Sequence, residues 1–449
     1  MAQEISIKKG LDIRLAGDAS EEVIPSSVGS SYGVSPTSFP GLQPRLSVQV
    51  GDRVMAGSPV LYHKPCPEMV LVSPVSGEVV QVVRGAKRKI LYVEIKADAD
   101  VTYKDFDVTD VTSRSREEIL SLLMQSGMLA LLRKRPYDMV PDPTEKPRDI
   151  YVTANFTAPL LPDTMALLGE DKKYLQIAAD VLGKLTEGDV YMGYAPGESL
   201  GLKGVREYEV KGPHPAGNVG VLINHTRPIN QGEVVWTLSV TEMALLGRFL
   251  TTGHVDLTKR VACAGTGMEK RGITVVRAGS KIEDIVSDKK ANTAEHLRLI
   301  DGDVLTGLQV TDSHPFLSTR TNIITAIPEG DETVELFGWM APGLDKYSVS
   351  RTFTSWLTGK RKYTIDARLH GSERPLMFSN EYDKVFPMDI FPEQLIRAII
   401  TFDIERMEQL GIYEVVPEDF ALCEFVDTSK LPLQAIVRDG LDQLYKEMN

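Results

Sequence analysis

Asp149-Ile150-Tyr151-Val152-Thr153-Ala154 and Asp189-Val190-Tyr191-Met192-Gly193-Tyr194 are the two runs whose reading decides the fold. Each is short, largely apolar and rich in β-branched or aromatic residues, as a strand covered on both faces must be. Between them, residues 174–185 space their apolar side chains as an amphipathic helix does. Strand, crossover helix and strand predict a parallel βαβ unit and an α/β chain. Upstream, Arg116-Glu117-Glu118-Ile119-Leu120-Ser121-Leu122-Leu123-Met124 reads as a helix, with Ser115 as its cap and Glu118 at the capping-box position. The proline-rich stretch 136–147 reads as a loop, because the βαβ pattern resumes directly after it.

The first hundred residues read as β. Arg45-Leu46-Ser47-Val48-Gln49-Val50 and Ile90-Leu91-Tyr92-Val93-Glu94-Ile95 alternate apolar and polar residues, and Gly51-Asp52 and Gly57-Ser58 mark tight turns. The runs Val50-Gly51-Asp52-Arg53-Val54-Met55-Ala56-Gly57-Ser58-Pro59-Val60-Leu61 and Ser73-Pro74-Val75-Ser76-Gly77-Glu78-Val79 resemble the two half-motifs of a biotinyl/lipoyl-type barrel-sandwich hybrid. A carrier version would present a modifiable lysine at the hairpin tip between the halves. Lys64 sits near that place, but its neighbours, Pro65 among them, match neither the biotin nor the lipoyl context.

Beyond the βαβ unit, Leu257-Thr258-Lys259-Arg260-Val261-Ala262-Cys263-Ala264-Gly265 and Arg271-Gly272-Ile273-Thr274-Val275-Val276-Arg277-Ala278-Gly279-Ser280 predict a pair of strands. Segment 331–370, rich in aromatic and hydroxyl residues, reads as further strands. The last eighty residues return to helix, punctuated by Pro387, Pro392 and Pro417.

The chain has 449 residues, 42% of them hydrophobic, enough for several globular domains. Its net charge of -12 argues against nucleic acid, which calls for a concentrated cationic face. The longest basic cluster, Arg84-Gly85-Ala86-Lys87-Arg88-Lys89, reads as a solvated hairpin turn. Anionic lipid would repel the chain as well, so membrane association is expected through a protein partner. Met1-Ala2-Gln3-Glu4-Ile5-Ser6-Ile7-Lys8-Lys9-Gly10 shows no signal-peptide pattern, and no run of about 18 apolar residues occurs, so a cytoplasmic location without a membrane span is expected.

Chemistry-bearing motifs are missing. No glycine fingerprint for a dinucleotide follows a strand: Gly193-Tyr194-Ala195-Pro196-Gly197 has the wrong spacing, and Pro196 removes an amide. Cys66, Cys263 and Cys423 are too few and too scattered for a cluster, and the seven histidines have no zinc spacing. His214, in Lys211-Gly212-Pro213-His214-Pro215-Ala216-Gly217, sits in a rigid glycine-flanked loop and is read as a turn residue that could also contact a ligand.

Several segments, in order along nearly the whole chain, resemble one family. These are Ile7-Lys8-Lys9-Gly10-Leu11-Asp12, Ser126-Gly127-Met128 with Leu131-Leu132-Arg133-Lys134-Arg135-Pro136, Phe337-Gly338-Trp339-Met340-Ala341-Pro342-Gly343, Asn380-Glu381-Tyr382-Asp383-Lys384-Val385-Phe386-Pro387-Met388-Asp389-Ile390 and Glu418-Asp419-Phe420-Ala421-Leu422-Cys423-Glu424-Phe425-Val426. The family is the A subunit of the Na+-translocating NADH:quinone oxidoreductase. The resemblance implies an α/β multidomain chain: a barrel-sandwich hybrid over 1–110, a degenerate Rossmann-like flavin-subunit domain over 111–255, a soluble-ligand-binding β-grasp (SLBB) module over 256–330, a β-rich segment over 331–370 completing the N-terminal domain, and a C-terminal helical domain over 371–449 related to a ferredoxin-like domain without clusters.

That family is similar to the flavin- and cluster-bearing C subunit of Rnf-type complexes and to the flavin-binding NADH subunit of respiratory complex I. In those relatives a glycine-rich loop lets flavin phosphate reach backbone amides. Here the corresponding stretch, Gly127-Met128-Leu129-Ala130-Leu131-Leu132-Arg133-Lys134-Arg135-Pro136-Tyr137, carries bulky side chains in place of the glycines. The cluster cysteines would fall near 376–386 and 417–427, where only Cys423 stands. The resemblance thus implies a subunit with no catalytic residue, metal or cofactor of its own, the flavins, iron–sulfur centre and quinone of the complex belonging to other subunits. Its expected place is the cytoplasmic face of the bacterial inner membrane, on the membrane-embedded B subunit and near the C subunit. Its expected roles are assembly and quinone access, with Arg133, Lys134, Arg135, Tyr137 and His214 as contacts for quinone or partner. Two rival readings are a self-sufficient flavin NADH dehydrogenase and a covalent lipoyl or biotin carrier.

Overall fold

A computed structural model describes residues 3–27, 29–292, 296–331, 343–359 and 361–448. The two deciding runs are strands Ile150–Ala154 and Val190–Tyr194, paired in parallel with Ile150 opposite Val190. They sit in a six-stranded sheet whose order across the sheet is Gln3–Ser6, Val205–Lys211, Val190–Tyr194, Ile150–Ala154, Val235–Ser239, Arg133–Arg135. All neighbours are parallel except the last pair, in which Val235 faces Arg135.

Side-chain alternation explains why these strands read as unbroken apolar runs. Ile150, Val152, Met192, Trp236 and Leu238 feed one core, together with helices Arg116–Gln125, Leu175–Leu185 and Val240–Thr252. Tyr151, Tyr191 and Val235 point the other way and pack with Ile5, Ile7 and the helix Val219–Thr226. Each strand is thus covered on both faces, and both periodic positions must be apolar. Ser115 caps its helix as expected, accepting from the Glu118 amide while Glu118 reaches back to the Ser115 amide. Ser239 and Glu242 make the same reciprocal pair for Val240–Thr252.

The N-terminal region is two facing antiparallel sheets. One joins Pro44–Leu46, Pro59–His63 and Cys66–Val72; the other joins Ser31–Val34, Ile90–Ala97, Gly77–Arg84 and Arg53–Val54. Gly57 turns with φ +90°, and at Gly77 a Cβ would lie 2.0 Å from the Lys96 carbonyl oxygen, so both half-motif glycines are required sterically. The basic cluster forms the turn between Gly77–Arg84 and Ile90–Ala97. Lys64 is exposed at the tip between Pro59–His63 and Cys66–Val72.

Two expectations are corrected here. The strand expected at 45–50 stops at Leu46, because the chain then turns through Gly51. The first residues, read as part of the N-terminal β region, instead leave it: Gln3–Ser6 adds an edge strand to the central sheet beside Val205–Lys211.

Residues 258–328 form a five-stranded sheet ordered Gly272–Arg277, Thr258–Ala264, Ile323–Pro328, Leu297–Asp301, Leu308–Gln309, with the helix Ile282–Val286 against it. Segment 331–370 differs from the reading as strands. Positions 332–342 and 360, and with them most of the motif 337–343, lie outside the described residues. The described remainder holds the 3-10 turn Thr354–Thr358 and one isolated bridge, Leu15 to Tyr363. Its aromatics serve as separate anchors rather than alternating along a strand. The C-terminal helices, among them Pro392–Thr401 and Leu433–Met448, pack around Leu395, Met407, Phe420 and Leu441 in a core shared with Ile13, Leu15, Leu167 and Ile323. Among the described residues no helix is long and apolar enough to cross a membrane.

Candidate functional site

The chain steps from Ile150–Ala154 outward to Val190–Tyr194 and Val205–Lys211, then returns to place Val235–Ser239 on the opposite side of Ile150–Ala154. Strand order reverses there, and the loops leaving the two central carboxyl ends part company and leave a crevice. A cavity of about 410 Å³ opens at this point, lined by Thr153 and Asn155 from one strand end and by Thr237 and Ser239 from the other. The five-stranded sheet contributes Asp301 and Asp303, and the C-terminal region contributes Glu418 and Gln434.

Arg133 and Arg135 both line the cavity, and Lys134 does not. They belong to one strand, so alternate side chains fall on opposite faces. Arg133 donates through Nη1 to both carboxylate oxygens of Asp138, each at 2.9 Å. Burial alone would lower this guanidinium, but Asp138, Glu418 and Glu242 around it reverse the effect and raise its pKa. Arg135 is 1% exposed and donates to Glu418 at 2.8 Å and to Asp419 at 3.2 Å. Burial pushes the Asp419 carboxyl up against the pull of Arg135, and pushes Glu418 up to about 7, with the Asp419 and Asp138 charges adding to the rise.

Lys134 lies on the other face, its ammonium held by both Glu145 oxygens at 3.0 and 2.9 Å and standing 5.7 Å from the Tyr445 ring centroid. Tyr137 packs edge-on against Tyr445 and Tyr413, with centroids at 5.1 and 6.4 Å, and burial raises its phenol. It does not line the cavity. His214 does: it is 4% exposed, its Nδ1 lies 3.0 Å from Thr157 Oγ1, and its amide donates to Asp12 at 2.9 Å. Burial lowers the imidazole, opposed by the Asp303 and Asp12 charges.

Sequence reading missed Arg320, Glu242, Asp138, Asp301 and Glu418 as site residues. Arg320 donates through Nη2 to the carbonyls of Ala130 and Leu132 at 2.9 and 3.3 Å. Burial and then the neighbouring Arg133 charge bring its guanidinium down to about 10, with Glu242 and Asp138 opposing. Asp301 accepts from His314 Nε2 at 2.9 Å and from the Ser318 amide at 3.0 Å, while its other oxygen is buried without a hydrogen-bond partner. Glu242 alone carried a signal, at the N3 position of the Ser239 capping box. Asp138 lies only five residues beyond Arg133 in the loop that follows it, whereas Arg320, Asp301 and Glu418 reach the site from far off in sequence.

Upstream of the arginines, Met128, Leu129, Leu131 and Leu132 are buried in the main core. A cleft of about 60 Å³ remains beside them, lined by Gly33, Phe39, Gly127, Met128, Leu131 and Phe316. Among the described residues no three His, Cys, Asp or Glu side chains are placed to hold a metal. Cys66, Cys263 and Cys423 are free thiols, and burial pushes Cys263 up to about 12.

Fold and site together define a mixed α/β chain with a barrel-sandwich N-terminal region and a polar, charge-lined cavity at the switch point of a parallel sheet. Residues 5–98 match the family described as the NqrA N-terminal barrel-sandwich hybrid domain, and residues 114–255 match the NqrA second alpha/beta domain. The chain is 36% identical over 448 residues to the A subunit of the Na(+)-translocating NADH-quinone reductase of Rhodopirellula baltica, covering 98% of each. It is 32% identical over 449 residues to the protein of the same name in Hahella chejuensis, covering 99% of this chain and all of that one. The Serratia proteamaculans protein of that name matches at 30% over 450 residues, covering 99% of this chain and all of that one. The chain belongs to this family, the A subunits of Na+-translocating NADH-quinone reductases.

Proposed function

We infer that this chain is the cofactor-free A subunit of a Na+-translocating NADH:quinone reductase, seated at the cytoplasmic face of the inner membrane on the B subunit, with the C subunit as a further neighbour. The complex oxidises NADH, reduces quinone and exports Na+, and the flavins and the iron–sulfur centre belong to the other subunits. The α/β domain is read as a Rossmann-like relative of flavin subunits that lacks the flavin loop. The 258–328 sheet is read as an SLBB-like β-grasp module, and the C-terminal helices as a cluster-free relative of a ferredoxin-like domain.

The observation that carries this reading is the packing of Met128, Leu129, Leu131 and Leu132 into the core, where a flavin-binding loop would need bare backbone. Next to that sealed stretch, Arg133 and His214 line the cavity, and Arg135 lines it with its guanidinium buried against Glu418 and Asp419. Guanidinium and imidazole N–H groups suit the two carbonyl oxygens of a quinone head group, and a guanidinium plane can stack on its ring. The role assigned to the chain is therefore assembly and quinone access, not electron transfer.

The test is quinone affinity of the isolated chain and turnover of the complex, measured for Arg133→Ala and Tyr137→Ala. Loss of one charge-assisted contact at Arg133 weakens binding by roughly tenfold or more, whereas Tyr137→Ala, away from the cavity, leaves affinity near that of the parent. Unchanged binding and turnover in Arg133→Ala rejects the site. A stoichiometric flavin absorbance in the purified chain rejects the cofactor-free reading, and an intact mass carrying a lipoyl or biotinyl group on Lys64 favours a carrier.

A further inference from the structure

Residues 343–363 combine a cationic sequence with exposed apolar side chains in their described part. They hold five Lys or Arg and a single acid, Asp345, in a chain of net charge -12. Their described part has no strand and one short 3-10 turn, Thr354–Thr358. Yet Leu344, Val349, Trp356 and Leu357 are held outward at 56, 40, 53 and 65% exposure. The stretch is anchored: the Tyr363 amide donates to Arg14 and the Ala16 amide to Tyr363, each at 2.8 Å. The Tyr363 hydroxyl donates to the Ser355 carbonyl, and its ring meets Tyr347 edge-on with centroids 5.6 Å apart. Cations stand over the rings, Arg351 at 5.7 Å from Trp356 and Lys346 at 5.4 Å from Phe353.

We propose that this face is the seat for another subunit of the same enzyme, which meets it with an apolar groove rimmed by acidic side chains. The inference rests on the reading of the chain as one component of a larger enzyme and adds the surface and the chemistry of its partner. Three occupants compete, and physical arguments separate them. A second copy in a two-fold contact would bring like charges face to face. A lipid surface would leave the amides and carbonyls of this irregular chain without partners in hydrocarbon. A protein groove satisfies both the backbone and the cations, and Trp and Arg are the residues that dominate such contacts.

The test uses the intact enzyme, extracted from membranes through a tag on the full-length chain. Trp356→Ser with Leu357→Ser is expected to lower recovery of the other subunits by about tenfold or more, while the melting temperature of the isolated chain stays that of the parent. Recovery at the parental level overturns the proposal. Should the double variant fail to fold, Arg351→Glu decides by the same two outcomes, since it reverses an exposed charge and removes only a surface contact with the Trp356 ring. Parental chain that brings down no other subunit refutes the reading as an enzyme component itself, a result distinct from failure of the surface. Binding of the isolated chain to phosphatidylglycerol–phosphatidylcholine vesicles, lost in the double variant, overturns the proposal in favour of lipid.

Discussion

Arg135 is among the largest fully buried side chains of the described residues. Its guanidinium is buried beside Asp419, which is 2% exposed at its side chain, so both charges are largely shielded from bulk solvent. Arg135→Ala leaves Asp419 buried without its cation and is expected to cost about 3–5 kcal/mol, read by chemical denaturation. A loss under about 1 kcal/mol would mean the pair is hydrated. Glu418, on the same guanidinium, titrates near 7 because the folded protein favours its neutral form. A carboxyl raised from 4.5 to about 7 gives its full contribution to stability below 4.5 and loses it as the pH rises through about 7. In thermal melts, the difference between Glu418→Gln and the parent should therefore move in the variant's favour from pH 4.5 to 7 and stay level beyond. A difference independent of pH would rule this out.

At the scale of elements, the Ser239–Glu242 capping box ties the site to its helix. Ser239 ends a parallel strand, lines the cavity and caps Val240–Thr252, whose N-terminus it fixes against the crevice. Ser239→Ala is expected to destabilise by about 1 kcal/mol in a denaturation curve, the usual worth of a cap. The βαβ unit, the Ser115–Glu118 cap and the glycine turns of the N-terminal sheets were legible because each is a local pattern. The site was legible only in part. Arg133, Arg135 and His214 were singled out and do converge, but Lys134 and Tyr137 do not join them: strand alternation turns Lys134 to the far face, and Tyr137 is taken up by Tyr413 and Tyr445. Arg320, Asp301 and Glu418 were not singled out as site residues, because nothing local marks a residue that reaches the site from more than a hundred positions away. The described part of segment 331–370 misled for a related reason: aromatic and hydroxyl residues there have the composition of a strand without its alternation.

At the scale of the whole molecule, the regions are laced together rather than strung out. Gln3–Ser6 closes the edge of the central sheet, and Ile5 and Ile7 are buried against it. Removing the first eight residues uncovers the Val205–Lys211 edge and forfeits about 1.5–3 kcal/mol for each buried isoleucine. The truncated chain should melt lower and aggregate more readily, by scanning calorimetry and light scattering. An unchanged melting temperature would show that the strand is dispensable. The same lacing has a consequence in time. Arg135 finds Glu418 and Asp419 across separations of 283 and 284 residues. On a ribosome adding about 5–20 residues per second, roughly 15–60 s pass between the emergence of the arginine and that of its carboxylates. Throughout that interval the nascent α/β domain carries a cation it cannot yet bury, so its final closure waits for the end of translation.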